Sequence, residues 1–171
     1  MIVDYAVYER GRRRPGDLKL DQLFERTRPG EAFAWIGLQE PTAEELEAVA
    51  REFHLHELAV EDALQAHQRP KLERYGDSFL LVLKTACVPP GGEDIDWGEI
   101  LVFVGDTFLV SVRHGKVQLH DVRLRLEERP EMLAHGPAAA LWGIVDHVVD
   151  DYAPVVDALE AASEDVERMV F

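Results

Sequence analysis

Cysteine is nearly absent. With only Cys87 among 171 residues, no disulfide can close within the chain and no cysteine-rich metal knuckle can form. Positive charge is scarce too. Eighteen Lys and Arg stand against thirty-three Asp and Glu, and the formal charge of −15 repels nucleic-acid phosphates and anionic lipid surfaces, so no nucleic acid partner is expected. No apolar run approaches the ~20 residues that a membrane helix requires. The longest, Phe79 to Leu83 and Ile100 to Val104, have strand length, so this stretch by itself is not expected to cross a bilayer. Nothing at the N-terminus resembles a cleavable leader, and a cytosolic setting fits. Catalytic punctuation is missing as well: the sequence holds no Gly-x-Ser-x-Gly, P-loop, dinucleotide fingerprint or His-Glu-x-x-His. An enzyme is not expected.

What is present is an ordinary globular composition, 47% apolar and 30% charged, enough for a sizeable core. Ile2 to Tyr8 reads as a strand, followed by the basic loop Arg10 to Gly16. Arg12 to Arg14 read there as a solvated turn rather than an anion site. Phe33 to Leu38 predicts a buried strand. Thr42 and Glu45 then form a capping box for a helix whose apolar face is Leu46, Val49, Ala50 and Phe53. A second helix is expected over Glu57 to Gln65, ending before Pro70. Two hairpins follow, Lys71–Tyr75 with Phe79–Thr85 and Glu99–Val104 with Thr107–Arg113, separated by a loop at Pro89–Gly92. Lys116 to Glu128 predicts a helix stopped by Pro130.

From Ala138 to Phe171 the pattern becomes one long helix. Its expected apolar seam is Leu141, Val145, Val148, Tyr152, Val155, Leu159, Ala162, Val166 and Met169, with a bend at Pro154. The fold class read from this order is α/β (α+β): a mixed β-sheet with hairpins, covered by helices on both faces and followed by the start of a long C-terminal helix. Residues 1–137 would form the α/β domain and residues 138–171 the beginning of a stalk cut through a continuing helix.

Acids concentrate in two places. Residues 141–171 carry eight acids and one base. On a helix Asp146, Asp150, Asp157 and Glu164 fall within about 40° of one another, a ridge suited to a divalent cation or to solvation. Glu61 and Asp62 sit side by side in the second short helix. Adjacent helical residues point about 100° apart, so these two would join ligands from elsewhere rather than chelate one ion together. His54, His56 and His67 lack zinc-ligand spacing and read as ordinary core or surface histidines.

With these segments in order, the chain resembles the cytoplasmic N-terminal domain of the CorA family of divalent-cation channels. The resemblance is carried by Trp35-Ile-Gly-Leu38 with Pro41-Thr42, by Phe53-His-Leu-His56 leading to Leu58-Ala-Val-Glu-Asp62, by Gln68-Arg-Pro-Lys71, and by Ile144-Val-Asp-His-Val-Val-Asp-Asp-Tyr152. It runs from about Ala34 to Phe171. One departure is Gly37, where the family commonly has an acidic or amide residue.

The resemblance implies a homopentamer in the cell (inner) membrane, with this domain on the cytoplasmic side and two membrane helices beyond the present chain. It implies that Mg2+ bound between subunits holds the channel closed, with Co2+ as a further possible ion. Asp62 would be the principal ligand, Glu61 and Asp146 would serve a neighbouring site, and Asp150 would help through water. Binding by the fragment alone would be weak. Two other readings stay open: the same domain of a ZntB-type zinc transporter, and a soluble acidic scaffold whose long helix binds a partner.

Overall fold

The computed structural model describes residues 1–16, 18–89 and 95–170. Most of the loop read at 89–92, and Phe171, lie outside them. The strands are β1 (Ile2–Glu9), β2 (Arg12–Arg13), β3 (Ala32–Gln39), β4 (Lys71–Tyr75), β5 (Ser78–Cys87), β6 (Asp96–Val104) and β7 (Phe108–His114). The helices are α1 (Ala43–Phe53), α2 (Glu57–Leu64), α3 (His120–Glu127), the single turn α4 (Pro130–Leu133) and α5 (Pro137–Val170). All seven strands join one mixed sheet in the order β2-β1-β3-β7-β6-β5-β4. Both expected hairpins are present, β4 with β5 and β6 with β7, and β3 runs parallel to β7 at the centre.

Period-two alternation sorts side chains to the two faces of this sheet. From β3, Ala34, Ile36 and Leu38 pack against Leu46, Val49 and Phe53 of α1 and Ala59 and Ala63 of α2. Phe33 and Trp35 turn the other way, onto Val122 and Leu126 of α3, Leu133 of α4 and Ala140, Ile144 and Val148 of α5. Helices therefore cover both faces, as the sequence pattern implies. The capping box of α1 forms in both directions: the Glu45 amide donates to Thr42 Oγ1 at 3.3 Å and the Thr42 amide to Glu45 Oε2 at 3.0 Å.

Four expectations change. The helix expected from Lys116 begins only at His120, because the Val117 carbonyl accepts a hydrogen bond from the Arg113 guanidinium at 2.9 Å and the chain turns at Gly115 (φ 99°). Pro130 stops that helix and also starts α4 from its first position, where a missing amide costs nothing. The basic loop is not simply solvated. Arg12 and Arg13 pair with β1 as β2, and Arg13 forks onto Asp4 at 2.7 and 3.0 Å.

The fourth change concerns α5. Its buried stripe is Pro137, Ala140, Ile144, Val148 and Val155, whereas the expected seam positions Tyr152, Leu159, Val166 and Met169 are 37%, 52%, 55% and 78% exposed. The first half of the helix rests on the sheet, with the Tyr152 hydroxyl donating to the Lys84 carbonyl of β5. Past Val155 the apolar positions face solvent, since nothing among the described residues packs beneath them.

Candidate cation-binding acids

Helix α2 is short, and its ends are tied locally. His56 caps it through Nδ1, which accepts the Leu58 amide at 3.2 Å, while its ring lies 4.6 Å from Tyr75. Ala59 and Ala63 face the core, which leaves Glu61 exposed and Asp62 half-buried at the rim. Lys71, the first residue of β4, reaches across. Its Nζ stands 2.7 Å from Asp62 Oδ2 and 2.9 Å from Glu73 Oε2, and the Tyr75 hydroxyl donates to Glu73 Oε2 at 2.7 Å. Hydrogen bonds to Asp62 and Glu73 raise the Lys71 ammonium above its usual range. The bonds from Lys71 and Tyr75 lower the Glu73 carboxyl. Two carboxylates from two elements thus converge on one cation.

Glu61 takes no part in this. It accepts a hydrogen bond from Gln65 Nε2 at 3.2 Å, one turn along its own helix. The divergence expected of adjacent helical acids is what the side chains adopt.

The acids of α5 lie on the other side of the sheet. Asp146 is half-buried and lines a cavity of about 70 Å³ shared with Arg125, Arg129 and Trp142. A cation there would have two arginines among its neighbouring residues, so further carboxylates would have to outweigh their charge. Asp150, Asp157 and Glu164 are exposed. One chain therefore brings Asp62 together with Glu73 and separates it from Asp146 and Asp150 by the full thickness of the sheet. Among the described residues no three metal-ligating side chains come together. Mg2+ keeps several waters and can be held by one or two carboxylates, so a lone acid or a pair is the most that these positions supply within one chain.

The histidines have local structural roles. His54 ends α1 in the left-handed conformation (φ 52°) with its ring 5.4 Å from Phe24, and His67 is exposed with φ 77°. Sequence reasoning overlooked Lys71 and Glu73. Their signal was available: alternation along β4 puts Lys71, Glu73 and Tyr75 on one face. What no local pattern shows is that this face meets the end of α2.

A family model described as CorA-like Mg2+ transporter protein matches residues 30–171. The putative metal ion transporter YfjQ of Bacillus subtilis is 31% identical over 141 residues, 82% of this chain and 43% of that protein. The chain thus spans less than half the length of that relative. The soluble domain of CorA from Methanocaldococcus jannaschii shares the fold with a TM-score of 0.66 at 18% identity, covering 98% of this chain and 64% of that one. The ZntB cytoplasmic domain from Vibrio parahaemolyticus does so with a TM-score of 0.67 at 16% identity, covering 96% and 64%.

Proposed function

Because the chain belongs to the family of CorA-like Mg2+ transporter proteins, we propose that it is the magnesium-sensing regulatory domain of such a transporter. In this reading it works on the cytoplasmic side of the cell membrane within a homopentamer. Residues 1–137 form the sensing body and residues 138–171 the first part of a stalk helix leading toward the membrane. Asp62, Glu61, Asp146 and Asp150 are the ligands this chain contributes to sites shared with a neighbour. The ion supplies a bridge between carboxylates of adjacent subunits, present only in the closed arrangement and therefore stabilising it by differential affinity.

The observation that carries the reading is the convergence of Asp62 and Glu73 on a single cation. Lys71 occupies that position in the isolated chain, and its single positive charge holds both acids in place. Two carboxylates already exceed that charge by one, and approach of a neighbour's carboxylate would widen the excess, which favours a divalent ion. Hard carboxylate oxygens suit Mg2+ better than they suit softer ions, which supports this reading over a ZntB-type exporter or importer of zinc.

Two measurements test it. In the complete transporter, Asp62→Lys should blunt inhibition of transport by intracellular magnesium; inhibition as steep as in the wild type would overturn the role of Asp62. In the isolated domain, magnesium titration followed by NMR should show weak binding that tightens severalfold in Lys71→Met and disappears in Lys71→Met with Asp62→Ala.

A further inference from the structure

A second constellation of charge lies on the opposite face of the sheet, remote from the acids of α2. A cavity of about 60 Å³ opens between β1, β3, β7 and α3, with Gly37, Ser111, Arg113, Leu119, His120 and Arg123 among its lining residues. One water needs ~15 Å³ by the same kind of measure, so there is room here for a small polyatomic ion.

The charges around the cavity do not balance. Arg113 and Arg123 are only 4% and 6% exposed. Arg123 is matched: its Nη1 lies 3.1 Å from Asp4 Oδ2, its guanidinium carbon sits 4.3 Å from the centre of the Trp35 ring, and Nη2 donates to the Trp35 carbonyl at 3.3 Å. Arg13 binds the same Asp4 and lies 3.3 Å from Glu127, so these two arginines and two carboxylates cancel. Arg113 is left over. Among the described residues no carboxylate stands within 4 Å of it. Its Nη1 donates to the Val117 carbonyl at 2.9 Å and approaches Gln118 Oε1 at 3.5 Å, while its Nε–Nη2 edge makes no hydrogen bond among the described residues. No sealed side-chain nitrogen lacks a partner among the described residues, so that edge is open to accessible space. Burial and the like charge of Arg123 both lower the Arg113 pKa, the mark of a cation without a counter-charge.

Three further features point into the same space. A Cβ built on Gly37 would stand 3.7 Å from the Asp4 carbonyl, 3.8 Å from Ser111 Oγ and 3.9 Å from Arg123 Nη2, so the space beside the arginines takes an added carbon in ordinary contact. The N-cap of α3, Leu119, makes no side-chain cap bond, and the start of that helix opens at the cavity rim. The amides of its first turn therefore add positive potential. Among the described residues Asp4 is the one acid that lines the cavity, and its carboxylate is already committed to Arg13 and Arg123.

We propose that this cavity binds a compact oxyanion, inorganic phosphate or a short carboxylate, on the free edge of Arg113 between Ser111 and the start of α3. A guanidinium edge matches two oxygens of such an ion, and the ion supplies the charge that Arg113 lacks. Bound there, it ties β7 to α3.

Thermal unfolding of the whole chain at one fixed ionic strength, in phosphate, acetate or chloride, tests the proposal. Phosphate or acetate should raise the midpoint by about 3 to 5 °C per tenfold increase above half-saturation, and chloride should not. Which of the two salts acts identifies the source of the oxyanion. Gly37→Asp places a carboxylate in the cavity and should abolish the response without lowering the midpoint. Arg113→Met should abolish the response as well. Equal responses to all three salts, no response to any, or an undiminished response in Gly37→Asp would overturn the site.

Discussion

Arg13 shows how much a single side chain can hold. Register pairs Tyr8 with Arg13, so the guanidinium comes to lie over Asp4, which also receives Arg123. Burial tends to raise the Asp4 carboxyl, but the hydrogen bond from Arg13 and the charges of Arg123 and Arg13 outweigh it and leave it below the ordinary aspartate value of 3.8. A carboxyl depressed in the folded state stabilises at pH above its unfolded value, and that contribution is lost as pH falls through the folded one. Asp4→Asn should therefore cost about 1 kcal/mol between pH 5 and 8, less than the usual charged hydrogen bond because the carboxylate is partly exposed. The gap from wild type should narrow below about pH 3.8. Urea denaturation across that range checks it. In the run Arg10-Gly-Arg-Arg-Arg-Pro-Gly16 nothing separates Arg13 from its neighbours, because its partners lie nine and more than a hundred positions away.

At the scale of elements, local signals were legible wherever the cause was local. The capping box of α1 and the turns of both hairpins are written in residues three or four apart, and all of them form. Where a distant group intervenes the reading slips, as at the start of α3, where a β7 arginine takes a carbonyl that the helix would have used. Gly98 illustrates the same dependence. It stands opposite Thr85 on β5, and a Cβ there would come within 2.6 Å of the His114 carbonyl oxygen and 2.8 Å of Thr85 Oγ1. The carbonyl cannot move without shifting β7. Gly98→Ala should thus destabilise by about 1 to 3 kcal/mol, as overpacking does, in a chemical denaturation experiment.

Over the whole molecule, α5 is two things in one helix. Its first half closes the second core and its second half carries exposed apolar residues. Ile144→Ala should cost about 2 to 5 kcal/mol of folding stability by leaving a cavity. Leu159→Ala, on the exposed half, should change stability by no more than about 0.5 kcal/mol in the same denaturation assay. The heptad spacing extends across both halves without a break, so sequence periodicity could not tell them apart. The boundary is where the sheet ends.

By itself the sequence determined the order of the longer strands and helices, the two hairpins, the cap of α1 and the family resemblance, because each depends on residue types a few positions apart or on a run of quoted motifs. The tertiary structure alone decided which charges meet. It put Asp62 and Glu73 on one ammonium, set Asp146 on the far side of the sheet beside two arginines, and left Arg113 buried without a counter-charge among the described residues. The physical reason is that Coulomb and hydrogen-bond energies follow distance in space, and sheet register makes neighbours of residues that no local pattern links.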